Sequence, residues 1–184
     1  MSRLEPIPPE ELDEEQARLY RSITEGPRAR GAQHFELTRA DGALLGPFNA
    51  LLLSPDLGGA LQEVGAAVRY RSTLSARTRE IAILTVAAHE DSGFEWRSHE
   101  SVGRAVGLTA DELAEIRAGR VPSLDDPHER ACAHLVRAMV AGDVDDETWS
   151  AWAGTAGRRT VFELTTLVGY YATLALQLRV FRVG

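Results

Sequence analysis

Three ionisable side chains near the middle of the chain have the residue types and the spacing that proton transfer requires. Glu95 and His99 are four residues apart, so on a helix they share one face about one turn apart. Glu80 lies on the preceding predicted helix, and a tight turn at residues 91–93 would fold the two helices against each other. Two carboxylates beside an imidazole supply one group that takes a proton and one that gives it. We therefore predict general acid–base chemistry at Glu80, Glu95 and His99.

A plainer alternative is that Glu95 and His99 form a solvated pair on an exposed helix. Phe94 and Trp96 flank the pair, and the predicted helix is apolar over much of its surface, which favours burial. Burial between helices would push the carboxyl pKa values apart and so assign the roles of acid and base. We expect His99 to be the main acid/base, with Glu95 and Glu80 orienting it or relaying protons.

The composition excludes several functional classes. The formal net charge is −7, whereas nucleic-acid binding requires a basic surface that replaces counterions, so we expect no nucleic-acid partner. All 20 basic residues are arginine, which excludes a Schiff-base lysine, a P-loop lysine and lysine-anchored pyridoxal phosphate. Cys132 is the single cysteine, so neither an intramolecular disulfide nor a cysteine-only zinc site can form.

Other residues that could bind a metal or line a pocket have simpler interpretations. His128, Cys132 and His134 occur close together, but a zinc site needs four well-placed ligands. We interpret them as a small buried cysteine with surface histidines, and we predict no metal. Tyr170 and Tyr171 could reach a pocket, although core packing is the simpler interpretation.

The sequence also suggests where the protein resides. Residues 1–15 are acidic and contain proline, and they lack the apolar core of a signal peptide. The longest apolar stretch, residues 163–179, contains Thr, Gly, Tyr and Gln, and we judge it too short to span a bilayer. We expect a soluble protein of a bacterial-type cytoplasm with no membrane partner.

Helix signals recur along the chain, whereas strand signals do not. Capping residues and glycines predict helix starts at Asp56, Ser75, Thr109 with Glu112, and Asp126-Pro127, and helix stops at Gly107, Gly119, Gly142 and Gly154. The last predicted helix covers about residues 160–181. The length of 184 residues fits one domain or two small helical halves that share a core. We predict an all-α fold, a compact bundle of about eight helices, and treat residues 1–184 as a single domain.

The N-terminal region, residues 1–41, is predicted to hold one helix followed by loop. The helix ends at Gly26-Pro27, and residues 28–46 have the Gly, Arg and Asp content of a long loop, of the kind that is often functional. After Pro47 comes a short apolar run at residues 48–53. The next predicted helix has the apolar positions Leu57, Leu61, Val64 and Val68, which recur at steps of four, three and four.

The segments REIAILTVAA and FEWRSHESVGRAVGL, within a core motif at residues 75–107, resemble the carboxymuconolactone decarboxylase and alkylhydroperoxidase-D-like family. In the redox members of that family, a Glu is followed twelve residues later by Cys-x-x-Cys, and a His follows four residues after the second Cys. Here Glu80 and His99 match the Glu and the His, while Ser92 and Glu95 occupy the two cysteine positions. Residues 42–55 and 167–178 also resemble longer members, so the resemblance covers most of the chain.

The resemblance implies an alkylhydroperoxidase-D-like fold, no metal or organic cofactor, and a homo-oligomer that is a trimer or a multiple of one. Ser92 and Glu95 can neither attack a peroxide nor resolve a disulfide, so a thiol peroxidase is disfavoured. Decarboxylase-type members often carry Glu-Trp-x-x-His, as this chain does at Glu95, Trp96 and His99. Their implied chemistry is protonation of an enolate-like carbanion as carbon dioxide leaves a lactone acid.

These observations lead to one main hypothesis and two alternatives. The main hypothesis is a cofactor-free lyase, decarboxylase or isomerase that acts on a small cyclic acid, lactone or carbonyl compound. Its substrate-binding residues would be Ser92 as a hydrogen-bond donor, Trp96 as a wall, and Phe48 and Asn49 from a segment that could close over the ligand. The alternatives are a thiol peroxidase and a non-catalytic ligand-binding or scaffold protein.

Overall fold

The computed structural model describes residues 2–26 and 36–183. Over these ranges the chain forms one 3-10 turn, Pro9–Glu11, and nine α-helices without a strand. The helices are α1 (Glu14–Thr24), α2 (Pro47–Leu51), α3 (Pro55–Tyr70), α4 (Ala76–His89), α5 (Gly93–Ala105), α6 (Ala110–Arg117), α7 (Pro127–Ala141), α8 (Asp146–Ala156) and α9 (Arg158–Phe181). The prediction of an all-α fold is confirmed.

Most of the predicted helix boundaries are confirmed, because the chain places capping residues where the signals indicated. Ser75, Thr109 and Asp126 each accept a hydrogen bond from the third N–H of the following helix. Gly107, Gly119 and Gly142 have positive φ angles, which stop the preceding helices. The predicted stop at Gly154 is wrong: α8 continues to Ala156, and the positive-φ residue is Gly157.

The predicted loop at residues 28–46 is described only in its second half, because residues 28–35 lie outside the described ranges. The described half, residues 36–46, is non-helical and forms one isolated antiparallel bridge between Thr38 and Leu44. Gly42 turns the chain with a φ of +83°, and its carbonyl accepts a hydrogen bond of 2.9 Å from the Tyr20 hydroxyl. Pro27, at the predicted end of the first helix, is also outside the described residues, and α1 ends at Thr24.

The chain divides into two compact units, Met1–Tyr70 with Leu176–Gly184 and Arg71–Ala175. In the first unit, apolar side chains of α1, of α2 and of the segment before α2 form a core. Its fully or nearly buried members are Leu19, Ile23, Leu44, Phe48, Leu51 and Leu52. The assignment of a single domain stays a prediction.

The helix predicted from the apolar positions of α3 is present, but two of those positions do not lie on its buried face. Leu57 is 72% exposed and Val64 is 39% exposed, whereas Val68 is buried. The inward face is instead built on glycine: a Cβ added to Gly58 would lie 2.2 Å from the carbonyl oxygen of Leu51. Such close backbone contact admits only glycine. The periodicity of the apolar residues therefore predicted a helix but did not indicate which of its faces packs against the protein.

In the second unit, α4 is the central helix. It packs against α5, α6 and α7, and nine of its 14 residues are buried. A helix that is apolar on all sides is expected to be surrounded by other elements. Gly103 allows α5 to approach α4 closely, because a Cβ there would lie 3.2 Å from Leu84 Cδ1. The one acidic side chain buried within α4 is that of Glu80, which is 0% exposed.

The final helix, α9, is longer than the apolar stretch seen in the sequence. It has 24 residues, and in the described part of the chain it is the only helix long and apolar enough to cross a membrane by length and composition. The apolar stretch identified in the sequence is only part of this helix, which extends beyond it at both ends. One such helix is weak support for a membrane span, because core helices of soluble proteins share these properties.

Candidate active site

The turn between α4 and α5 brings Glu80 and His99 into direct contact. Glu80 Oε2 lies 2.7 Å from His99 Nδ1, and both side chains are buried. The turn itself is compact: Asp91 adopts a left-handed φ of +50°, and the Ser92 N–H donates to the Ala87 carbonyl at 2.9 Å. Asp tolerates that conformation better than most residues. The helices therefore bring together a glutamate and a histidine that are 19 residues apart.

The contact between Glu80 and His99 determines how the imidazole can act. A carboxylate at Nδ1 holds the proton on that nitrogen, so Nε2 is the nitrogen that can accept one. Arg79 contributes a positive charge, with its Nε 3.7 Å from Glu80 Oε1. A carboxylate that orients a histidine in this way also stabilises the imidazolium that forms on proton uptake.

Tyr171 also contacts His99. Its ring meets the imidazole edge to face, with centroids 5.3 Å apart and planes at 88°. Tyr170 packs against Tyr171 in the same manner at 5.1 Å. Both tyrosines are buried, and because Tyr171 borders the candidate site, burial alone does not separate core packing from a place in a pocket. The position of Tyr171 beside His99 was not predicted, because no local pattern relates α9 to α5.

Glu95 is a second buried carboxyl group, one turn before His99 on α5. It is 3% exposed, and among the described residues neither carboxyl oxygen has a hydrogen-bond partner. Burial raises the pKa of Glu95 to about 8; the nearby Ser92 hydroxyl offsets part of this rise, and the Glu90 carboxylate adds to it. Glu95 is therefore mostly protonated at pH 7 and can donate a proton.

Ser92 is the residue that precedes α5 in the N-cap position. Its side chain is buried but does not cap the helix, and its Oγ has no hydrogen-bond partner within the described ranges. The hydroxyl is thus chemically available beside the Glu95 carboxyl. This agrees with the expectation that Ser92 serves as a hydrogen-bond donor, which stays a prediction.

Trp96, predicted to be a wall of the site, has structural contacts. Its indole Nε1 donates to Glu100 Oε2 at 3.0 Å, and the Arg117 guanidinium lies 4.6 Å from the ring centre. The ring belongs to the apolar core of the second unit together with Ile81 and Ile116. These contacts account for its burial, and a role as a wall for substrate stays a prediction.

Phe48 and Asn49 belong to the first unit, and their observed contacts lie within it. Phe48 is part of the apolar core of that unit. The Asn49 amide holds the N-terminal segment, since its Oδ1 accepts from the Ile7 N–H and its Nδ2 donates to the Glu5 carbonyl, both at 3.1 Å. Their predicted substrate-binding role is untested by these contacts.

The histidines and the cysteine of α7 do not form a reactive group. Burial, followed by the charges of Glu129 and Asp126, raises the pKa of the Cys132 thiol to about 12. Its Sγ lies 3.8 Å from His128 Nδ1, while His134 stacks on another ring. Throughout the described ranges, no group of three or more His, Cys, Asp or Glu side chains could hold a metal ion.

The candidate site therefore consists of a buried glutamate–histidine pair and a neighbouring protonated glutamate. It lies at the turn between two helices of an all-helical protein. A family model described as the carboxymuconolactone decarboxylase family matches residues 55–138, which include Glu80, Ser92, Glu95 and His99. This match, which covers a little under half of the chain, supports membership of that decarboxylase- and peroxidase-like family. A search of curated proteins finds no match.

Proposed function

We propose that this protein is a cofactor-free lyase, decarboxylase or isomerase that acts on a small cyclic acid, lactone or carbonyl compound. The observation that carries the proposal is the 2.7 Å contact between Glu80 and His99 beside the unpartnered carboxyl group of Glu95. Membership of a decarboxylase- and peroxidase-like family supports this class of reaction. His99 supplies a base and the neutral carboxyl group of Glu95 supplies an acid, one turn apart on α5.

The proposed chemistry assigns a role to each group. In an isomerisation, His99 Nε2 removes a proton from the carbon next to a carbonyl, and Glu80 stabilises the resulting imidazolium. In a decarboxylation, the carbon–carbon bond to the carboxylate breaks and its electron pair forms an enolate. Carbon dioxide leaves, and a proton from Glu95 or from the imidazolium adds to the carbanion carbon. Neither route requires an added oxidant or reductant.

A thiol peroxidase, the other activity suggested by the family, fits the residues poorly. Peroxide reduction through a disulfide needs two thiols, and Cys132 is the single cysteine. A thiol with a pKa raised to about 12 has almost no thiolate at neutral pH. We expect peroxide turnover with a dithiol reductant to be negligible and unchanged in Cys132→Ser. Robust turnover that disappears in this variant would establish peroxidase activity instead.

Proton transfer is tested with a panel of small cyclic β-keto acids and lactone acids in D₂O. Carbon dioxide release and deuterium incorporation are both followed by NMR. For substrates that react, His99→Gln should lower the rate by about two to four orders of magnitude, because the main proton-transfer group is lost. Glu80→Gln should lower it too, because the imidazole loses the carboxylate that orients it.

The matched control for His99→Gln is His128→Gln, which removes an exposed histidine on α7. We expect this control to leave the rate unchanged. Equal rates in the native protein and His99→Gln would contradict the assigned role of His99. A panel without any turnover, together with tight binding of one compound, would favour the non-catalytic ligand-binding alternative.

We also propose that the functional form is a soluble, cytoplasmic homo-oligomer, a trimer or a multiple of one, whose partner is a small-molecule substrate. Large apolar side chains remain exposed in the isolated chain, including Leu57 at 72% and Phe162 at 71%. Large apolar side chains that remain exposed are candidates for burial in a protein–protein contact. Light scattering at micromolar concentration should give the mass of a trimer or a multiple, and a monomer would contradict the proposal.

A further inference from the structure

The start of α5 differs from the starts of the other capped helices. At α1, α4, α6, α7 and α8, a side-chain oxygen of the N-cap residue accepts a hydrogen bond from a backbone N–H of the first turn; these residues are Asp13, Ser75, Thr109, Asp126 and Asp145. At α5, the N-cap residue Ser92 makes no such bond. The first N–H groups of a helix have no acceptor within the helix, so the first turn of this 13-residue helix retains its donors.

Two buried side chains at this turn are also unsatisfied. Ser92 is 8% exposed and Glu95 is 3% exposed, yet Ser92 Oγ and both Glu95 carboxyl oxygens have no hydrogen-bond partner among the described residues. A buried polar group without a partner costs about 1–3 kcal/mol. Natural proteins keep few such groups, and each one calls for an explanation such as a ligand that binds it.

The charge around the turn favours an anion. The N-terminus of a helix carries a partial positive charge, which attracts negatively charged groups. Gly93 has no side chain to cover the backbone there, and a Cβ in its place would lie 3.1 Å from the Arg97 guanidinium. Arg97 is exposed and thus adds a cation beside the first turn. The Glu90 carboxylate acts in the opposite sense, since it contributes to the raised pKa of Glu95.

We infer that the first turn of α5 is a binding subsite for an anionic oxygen, a carboxylate or an enolate, which is hydrogen-bonded by the Ser92 hydroxyl and the Glu95 carboxyl group. The inference rests on the proposed function, because it names the substrate group that faces the acid–base pair. His99 lies one turn further along the same helix. An anion held at Ser92 and Glu95 therefore has its neighbouring carbon close to the base, and the same donors stabilise the negative charge that develops on an enolate oxygen.

The subsite makes anion affinity depend on pH. The ionisable groups on the elements around it are Arg79 and Glu80 on α4, Glu90 and Asp91 in the turn, Arg97 and His99 on α5, and Tyr171 on α9. Glu95 donates a hydrogen bond to the anion while it is protonated, and it repels the anion once it ionises. Affinity should therefore fall as the pH rises through about 8.

The probe is 2-furoate, a small planar ring carboxylate, and its neutral control is furan-2-carboxamide. Calorimetric titration of the full chain should show that furoate binds and that the amide binds at least about tenfold more weakly. Furoate affinity should fall at least about tenfold between pH 6.5 and pH 9. Glu95→Gln, which retains an uncharged donor, should bind furoate with the same affinity at both pH values. His99→Gln should retain the pH dependence.

Ser92→Ala removes one hydrogen bond to the anion and should weaken furoate binding by about fivefold to tenfold. Its matched control is Ser101→Ala, an exposed serine on the same helix whose hydroxyl contacts the Ser98 carbonyl. The native protein provides a test that needs no variant: furoate should shift the backbone amide NMR signals of Gly93, Phe94 and Glu95.

Three results would overturn the subsite. They are absence of furoate binding, equal affinity for furoate and the amide, and amide shifts that avoid the first turn of α5. These outcomes are distinct from failure of the proposed function. If furoate binds normally but the D₂O experiments show no turnover, the proposed enzyme activity is rejected and the subsite is retained. If turnover occurs without furoate binding, the subsite is rejected and the enzyme activity is retained.

Discussion

The N-termini of α5 and α6 share one sequence pattern but differ in chemistry. Each has a hydroxyl residue at the N-cap position and a glutamate three residues later: Ser92 with Glu95, and Thr109 with Glu112. At α6 both bonds of the capping box form, since Thr109 Oγ1 accepts from the Glu112 N–H at 3.2 Å and Glu112 Oε2 accepts from the Thr109 N–H at 2.7 Å. At α5 neither side chain makes its capping bond.

The two glutamates consequently have opposite pKa shifts. Burial acts to raise the pKa of Glu112, but hydrogen bonds from Thr109 and from Arg77 outweigh it and lower the pKa below its usual value. At Glu95, burial dominates because no strong donor opposes it, and the pKa rises to about 8. The contrast between Glu95 and Glu112 shows that a glutamate at this position stabilises a helix only where its carboxylate accepts hydrogen bonds. The unsatisfied one is available for chemistry.

The largest expected effect is on the pH dependence of stability. The pKa of Glu95 is raised in the folded state from 4.5 to about 8, so the folded protein binds more protons than the unfolded chain between these pH values. The contribution of Glu95 is therefore fully present below about pH 4.5 and is lost as the pH rises through 8. The free energy of unfolding should fall by up to about 1.4 kcal/mol per pH unit in this window.

Urea unfolding between pH 5 and pH 9 measures this dependence. Glu95→Gln should flatten it, because the amide does not titrate. Glu112→Gln is the matched comparison: the pKa of Glu112 is lowered, so its contribution is present at neutral pH and is lost only on acidification. Identical slopes for the native protein and Glu95→Gln would show that Glu95 is not the titrating group.

The next largest effect is expected from Arg77, the cation that pairs with Glu112. Glu95 has no such cationic partner within the part of the chain that the structure describes. Arg77 pairs with Glu112, its Nε donates to Glu129 Oε2 at 2.9 Å, and it also bonds the Gly107 carbonyl. Arg77→Met should lower the free energy of unfolding by about 2–3 kcal/mol, because it leaves two mostly buried carboxylates without their cation. Arg18→Met removes a surface pair and should cost less than about 0.5 kcal/mol. Comparable losses in the two variants would contradict this ranking.

Replacement of Glu95 or Glu112 by methionine should change the free energy of unfolding at pH 7 by a smaller amount, and the two replacements should have opposite signs. Glu95→Met removes an unsatisfied buried carboxyl group and should raise the free energy of unfolding by about 1 kcal/mol. Glu112→Met breaks the capping box and the ion pair and should lower it by about 2 kcal/mol. Denaturant unfolding of the two variants gives both values. Destabilisation by Glu95→Met would indicate that the carboxyl group has an unrecognised partner.

The sequence predicted the framework of the site because it depends on local signals. Capping at Ser75 and Thr109, together with the stop at Gly107, fixes the lengths of α4 to α6, and the spacing places Glu80 and His99 on consecutive helices. The pairing of Glu80 with His99 could be anticipated for this reason. The similarity to the carboxymuconolactone decarboxylase family was also recognisable from the residues around this pair.

Partners that come from distant parts of the chain could not be predicted. The sequence pattern at Glu95 is the same as that at Glu112, yet Glu112 also bonds Arg77, which is 35 residues away and adds to the local hydrogen bonds from Thr109. Tyr171 reaches His99 from α9, again without a local signal. On α3 the periodic apolar residues face outward at Leu57, because Gly58 permits a backbone contact that hydrophobicity does not encode.

The smallest expected effect is the difference in stability between removing the Thr109 hydroxyl and removing the Ser92 hydroxyl, both at N-cap positions. Thr109→Ala removes a side-chain oxygen that caps α6 and should lower the free energy of unfolding by about 1 kcal/mol, a typical value for a lost N-cap. Ser92→Ala removes a hydroxyl that caps nothing, so stability should change by less than about 0.5 kcal/mol or rise slightly, since an unpartnered buried group is lost. Urea unfolding at pH 7 resolves this difference. If Ser92→Ala were as destabilising as Thr109→Ala, the Ser92 hydroxyl would be a structural cap in solution and not an unpartnered group that an anion could use.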